Sequence, residues 1–92
     1  MNLNQSRSLK IGDLVEYQIH EDVGTGYIIG FWMEDPEVCV IADEGTIGMP
    51  MNVRWILRNF GNFQKKAFEL RCKFEAKHPN YQLRPLTIEV VE

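Results

Sequence analysis

A chain of 92 residues, 45% apolar and 25% charged, suffices for one globular domain and leaves no room for two separate cores. Its net charge of −3 argues against a dedicated nucleic-acid binder. No run approaches the roughly 18 apolar residues of a membrane-crossing helix, and the opening residues carry no signal-peptide core. The sequence therefore reads as a cytoplasmic protein with no membrane attachment. Cys39 and Cys72 read as reduced thiols, although counting alone leaves a bridge between them open.

Charge is unevenly distributed. Residues 1–53 carry nine acids against Arg7 and Lys10, giving −7, whereas residues 54–84 carry eight bases against Glu69 and Glu75, giving +6. Glu89 and Glu92 return the last eight residues to −2.

Residues 1–9 are polar and read as a flexible leading segment, with a single domain over 10–92. The first predicted strand is Asp13–His20, with Val15, Tyr17 and Ile19 on one side and Glu16, Gln18 and His20 on the other. Glu21–Gly26 reads as a glycine-bearing loop. Tyr27–Met33 follows as a strand apolar enough to be buried on both faces, with a bulge or bend at Gly30. Glu34–Glu37 reads as a turn around Pro36, Val38–Ala42 as the third strand and Met51–Leu57 as the fourth, Val53, Trp55 and Leu57 alternating with polar Asn52 and Arg54 and with Ile56. The period then lengthens to that of a helix over about 63–78, with Asn62 as its N-cap and Phe63, Ala67, Leu70 and Phe74 as its apolar stripe. Leu86–Val91 alternates and reads as a fifth strand. The expectation is a mainly β domain with one helix: a five-stranded antiparallel sheet in the order β-β-β-β-α-β.

The stretch Ile11-Gly-Asp-Leu-Val-Glu-Tyr17, a loop, and then Val23-Gly-Thr-Gly-Tyr-Ile-Ile-Gly30 resembles the SH3-like small barrels. That group includes Tudor domains, KOW domains and the polymerase-interacting domain of the CarD type. The chain is also similar to short proteins that tailed phages encode with the same opening. The likeness covers residues 10–57 and, loosely, Leu86–Val91. It implies an SH3-like barrel that binds another protein, in the phage setting a regulator acting on a host complex. Two departures stand out: the barrel segment is acidic where KOW domains are basic near their loops, and the helix is longer than the single turn common at that place.

No nucleophile elbow, P-loop or His-Glu-x-x-His motif occurs, so no catalytic residues and no cofactor are assigned and the chain is read as a non-enzyme. Cys72 with His78, or Cys39 with His20, lacks an orienting partner for nucleophilic chemistry. The same four side chains lack the paired spacing of a zinc site, so no metal is expected. The glycines of Gly24-Thr-Gly26 suit a hairpin better than a phosphate cradle, given acidic Glu21 and Asp22 beside them.

Binding candidates fall into three groups. In a Tudor-like reading, exposed aromatics of the second strand, Tyr27 and Trp32, would meet a cationic or basic protein surface, while Tyr17, Phe31 and Trp55 form core. Phe68 lies off the helical stripe and is either a partner or homodimer contact or covered by the Pro79–Arg84 connection. Arg54, Arg58, Lys65, Lys66, Lys73 and Lys77 are the alternative, a nucleic-acid face. Against that alternative, Lys66, Lys73 and Lys77 on one flank of the stripe, and Arg71 with His78 on the other, suit stems that snorkel over an acidic sheet. A small assembly protein that dimerises is the third reading.

Overall fold

Leu14-Val-Glu-Tyr17 sets up the first strand by simple alternation, and the sheet grows outward from it. In the computed structural model, which describes residues 9–35, 37–81 and 83–84, β1 (Asp13–Ile19) pairs antiparallel with β2 (Asp22–Phe31) on one side. Beyond β2 come β3 (Val38–Asp43) and β4 (Thr46–Asn52), and β5 (Ile56–Asn62) pairs with the other side of β1. All five strands are antiparallel in one open sheet of order β4-β3-β2-β1-β5, and the sheet is not closed into a barrel. A single helix, α1 (Gln64–Lys77), follows the strands.

Among the described residues the architecture is mainly β, with five antiparallel strands and one helix in the order β-β-β-β-β-α, so a strand not separately expected precedes the helix. The expected strand Leu86–Val91 lies outside the described residues, as does the turn residue Pro36. The predicted fourth strand, Met51–Leu57, is in fact the end of β4, a 3-10 turn (Val53–Trp55) and the start of β5. Asn52 makes this break: its side-chain oxygen accepts from the Arg54 N–H at 2.8 Å, an Asx-type bond that turns the chain instead of extending it. The inward alternation through Trp55 and Leu57 is lost with it, and Ile56 is the residue that becomes buried. Trp55, expected in the core, is 45% exposed.

The first hairpin is tighter than the expected loop. Ile19 pairs with Asp22 across His20-Glu21, and His20 takes the positive φ (56°) that a two-residue hairpin demands. Gly24 and Gly26 therefore stand inside β2. A Cβ on Gly26 would come 2.4 Å from the Ile41 side chain, and one on Gly24 would come 2.6 Å from the Tyr17 hydroxyl. Lack of space, not turn geometry, explains these glycines, and a phosphate cradle is ruled out.

The core has two layers with the sheet between them. One face gathers Val15, Ile28, Cys39, Ile41, Met51 and Ile56, with Tyr17, Ile19 and Phe31 packed at its margin. The other gathers Ile29, Val40 and Ala42 against Ala67, Leu70 and Phe74 of α1 and against Leu83. The centre of β2 serves both, as its continuous apolar text requires. Strand alternation turns the neighbours Ile28 and Ile29 to opposite layers, each with no exposed surface, and the ladder shifts register between Ile28 and Gly30.

The helix seats itself by three members of the expected stripe. Ala67, Leu70 and Phe74 are buried, and full burial of a ring such as Phe74 contributes about 3 kcal/mol. The fourth member, Phe63, is not in the core. The helix starts after it, and its ring stays 47% exposed, edge-on to Tyr27 at 6.1 Å. Asn62 is not the N-cap either: Phe63 holds that position with no side-chain cap, and the Asn62 amide donates to the Ile11 carbonyl (3.1 Å) and the Asp13 carboxylate (2.8 Å).

Candidate interaction surface

The two edges of the sheet differ. β4 carries Pro50, which cannot donate to a ladder, and the Phe74 ring of α1 lies so close over Gly48 that a Cβ there would approach it to 2.3 Å. That edge is blunted and covered. The opposite edge, β5, has β1 as its one neighbour among the described strands. Of its seven residues only Ile56 is fully buried. Leu57 (40% exposed) and Phe60 (48%), with Trp55 just upstream, place three large apolar side chains at the surface within six successive residues.

The reason lies in the pairing register. Two irregularities interrupt β1–β5, between Leu14 and Val15 and between Glu16 and Tyr17 on the β1 side, where Phe60 and Leu57 are the unpaired extra residues of β5. Phe60, which plain alternation from Ile56 would turn inward, thereby stays at the surface. Two arginines share the strip. Arg58 stands 5.9 Å from the Phe60 ring centre and pairs with Glu16 at 3.2 Å, while Arg54 reaches Glu37 at 3.9 Å. Residues 53–63 contain no acid, so the strip is a local cationic stretch in an acidic molecule.

At the far end of β5 a polar clasp fixes its position. Asp13 is buried, and its carboxylate accepts from the Lys10 N–H (2.9 Å), the Asn59 amide (2.9 Å) and the Asn62 amide (2.8 Å). These groups, with Gly61 and Gln64, line an open depression of about 500 Å³. Both carboxylate oxygens are engaged, and the clasp ties β1 to β5.

The residues singled out from sequence are scattered by the fold. Tyr27 is half-buried against the helix layer, edge-on to Phe63, whereas Trp32 stacks on Tyr81 at 6.0 Å beyond the other end of α1. Each ring is held in its own intramolecular pair, and the two do not form one cage. Phe68 is half-buried on α1. Lys65, Lys73 and Lys77 are exposed along α1, and Lys66 is hydrogen-bonded to Glu44. That contact holds the Glu44 carboxyl below its usual range and the Lys66 ammonium above its own. The six cations thus divide between the β5 strip and α1. Three of the four ion pairs among the described residues join the basic segment to the acidic one: Arg54–Glu37, Arg58–Glu16 and Lys66–Glu44.

Arg71, read from sequence as a snorkelling side chain, is 4% exposed. Its guanidinium donates to the Ile29 carbonyl (3.1 Å), the Arg84 carbonyl (2.8 Å) and Glu75 (3.1 Å). The β2 bulge supplies the first of these, since Ile29 sits where the ladder shifts register and its carbonyl points at the helix. Arg84 in turn donates its N–H to the Phe31 carbonyl (2.8 Å), beside the Trp32–Leu83 bridge.

The cysteines are both free and differently placed, Cys39 buried in the sheet and Cys72 exposed on α1. Burial pushes the Cys39 thiol up to about 12, and it donates to the Met51 carbonyl at 3.4 Å. His78 packs on Phe74 at 4.9 Å. Among the described residues no group of three or more His, Cys, Asp or Glu is placed to hold a metal ion, and no helix is long and apolar enough to cross a membrane.

Comparison with family models, with curated proteins and with solved structures yields no match.

Proposed function

We propose that this chain is a non-catalytic protein-interaction module of SH3-like type, and that it binds through the β5 edge. The observation that carries this reading is the exposed row Trp55, Leu57 and Phe60, just upstream of and along the edge strand that, among the described residues, neither proline nor helix protects. An unprotected edge bearing large apolar side chains invites a partner, and soluble proteins otherwise blunt such edges. A strand order in which the last strand returns beside the first across a 3-10 turn supports the SH3-like assignment.

Tyr27, Trp32 and Phe68 have less claim to be the contact face. Two of them are held in aromatic pairs of the molecule's own, and the third is half-buried. A nucleic-acid face on α1 is weakened by the Lys66–Glu44 pair and by Glu69 and Glu75 among its cations.

The test compares baits in nuclease-treated bacterial lysate. Wild type and the Tyr27→Ala/Trp32→Ala variant should retain the same proteins, and a Leu57→Ser/Phe60→Ser variant should lose them. Equal capture by the β5 variant, shown to be folded by its circular dichroism, would move the contact face away from this edge.

A further inference from the structure

Resting on that reading of the β5 edge, we infer that the partner it fits is an extended segment carrying acidic side chains, added to the sheet as a sixth strand. Strand addition uses the unpaired backbone groups of an edge for affinity and its side chains for specificity. Here the side chains are of two kinds. Trp55, Leu57 and Phe60 offer apolar surface, and Arg54 and Arg58 offer charge.

Charge complementarity selects the acidic partner. The strip from residue 53 to 63 has two arginines and no acid, while residues 1–53 carry nine acids. A basic segment would be drawn to the acidic surface elsewhere on the molecule, and at this edge it would meet arginines. An acidic one would meet opposite charge here, on the sheet edge that carries two arginines and no acid. Both arginines can be recruited. Their side chains are 76% and 68% exposed, and their ion pairs with Glu37 and Glu16 are of the solvent-exposed kind that contributes little. Exchanging those carboxylates for a partner's therefore costs little.

The bulges at Leu57 and Phe60 bear on length. They interrupt the even spacing of edge groups, so a short segment fits better than a long one, and discrimination falls to the side chains. The β4 edge makes the contrast, having a proline, a covering ring and no arginine.

The experiment is a titration followed by amide chemical shifts. The probes are a short capped peptide alternating glutamate with valine, the same peptide with lysine for glutamate, the same with serine for glutamate, and a thymidine oligonucleotide. The acidic peptide should perturb the amides of Ile56–Asn62. Its affinity should fall about tenfold or more in Arg54→Gln/Arg58→Gln, as for lost charge pairs at an interface. Serine and lysine peptides that bind β5 as well as the acidic one would overturn the acidic preference and leave the edge-binding reading standing. No perturbation of β5 by any peptide would overturn both. Stronger perturbation by the oligonucleotide would replace the protein partner with a nucleic acid.

Discussion

The centre of the sheet and its β5 edge are built from similar amounts of apolar text and put it to opposite use. In β2 and β3, Ile28, Ile29, Cys39, Val40, Ile41 and Ala42 are all buried, because the sheet has a packed layer on each side. In the 3-10 turn and β5, Trp55 is left at the surface by the Asn52-capped turn, and Leu57 and Phe60 stand there as the unpaired residues of two bulges. Apolar content therefore locates neither core nor binding face by itself. What decides is whether the register lets a side chain reach a covered layer.

The largest expected effect lies where the centre meets the helix. Arg71→Ala removes the guanidinium that serves the carbonyls of Ile29 and Arg84, leaving buried acceptors unpaired. A loss of about 3 kcal/mol is expected by denaturant unfolding, as for other broken buried charged contacts. Arg71→Lys should recover part of it, since one ammonium cannot span the same fork. A loss below about 0.5 kcal/mol for the alanine variant would mean that water replaces the clasp.

A second effect is set by pH. The Cys39 thiol has its ordinary value near 9 when unfolded and is pushed up to about 12 in the folded chain, so between these values the folded state holds a proton that the unfolded state has lost. Its contribution is fully present below pH 9 and is lost as pH climbs toward 12, by about 1 kcal/mol for the first unit above 9. Cys39→Ala should flatten that part of the stability profile. In the native protein a thiol reagent should titrate Cys72 at once and Cys39 only on unfolding.

The smallest effect marks the edge. Leu57→Ser/Phe60→Ser, expected to abolish partner capture, should change the unfolding free energy by no more than about 0.5 kcal/mol per site, as exposed positions do. A larger cost would show that the strip is part of the core's support, and the division between centre and edge would fail.

Much of this was legible in the residues. β1 announces itself by alternation, β3 by a short apolar run ended at Asp43-Glu44-Gly45, the burial of β2 on both faces by its unbroken apolar run, and the helix by Ala67, Leu70 and Phe74. The split of β4 from β5 was not, because a period-two pattern continues in the letters across Asn52–Trp55 while an Asn side chain bends the backbone beneath it. Gly48 and Pro50 also made β4 look unlike a strand, though an edge position tolerates one and the Phe74 ring requires the other. The β5 strip was missed for a related reason. Trp55 in a small domain reads as core unless the 3-10 turn is known, and the bulges at Leu57 and Phe60 are set by pairing, not by composition. Arg71 carried a weak signal in hindsight: it stands one position after Leu70, on the margin of the stripe, facing a strand that must kink at Gly30.

The position of Arg71 in the order of synthesis has a consequence of its own. One of its carbonyl partners, on Ile29, is made long before it, and the other, on Arg84, some time after. During translation the sheet can form once β5 has left the ribosome. The helix, though, would bring a charged side chain into the layer with one of its three acceptors still unmade. Docking of α1 is therefore timed to the emergence of Leu83 and Arg84, and a nascent chain stalled before that point should carry a finished sheet and a helix that is not yet locked.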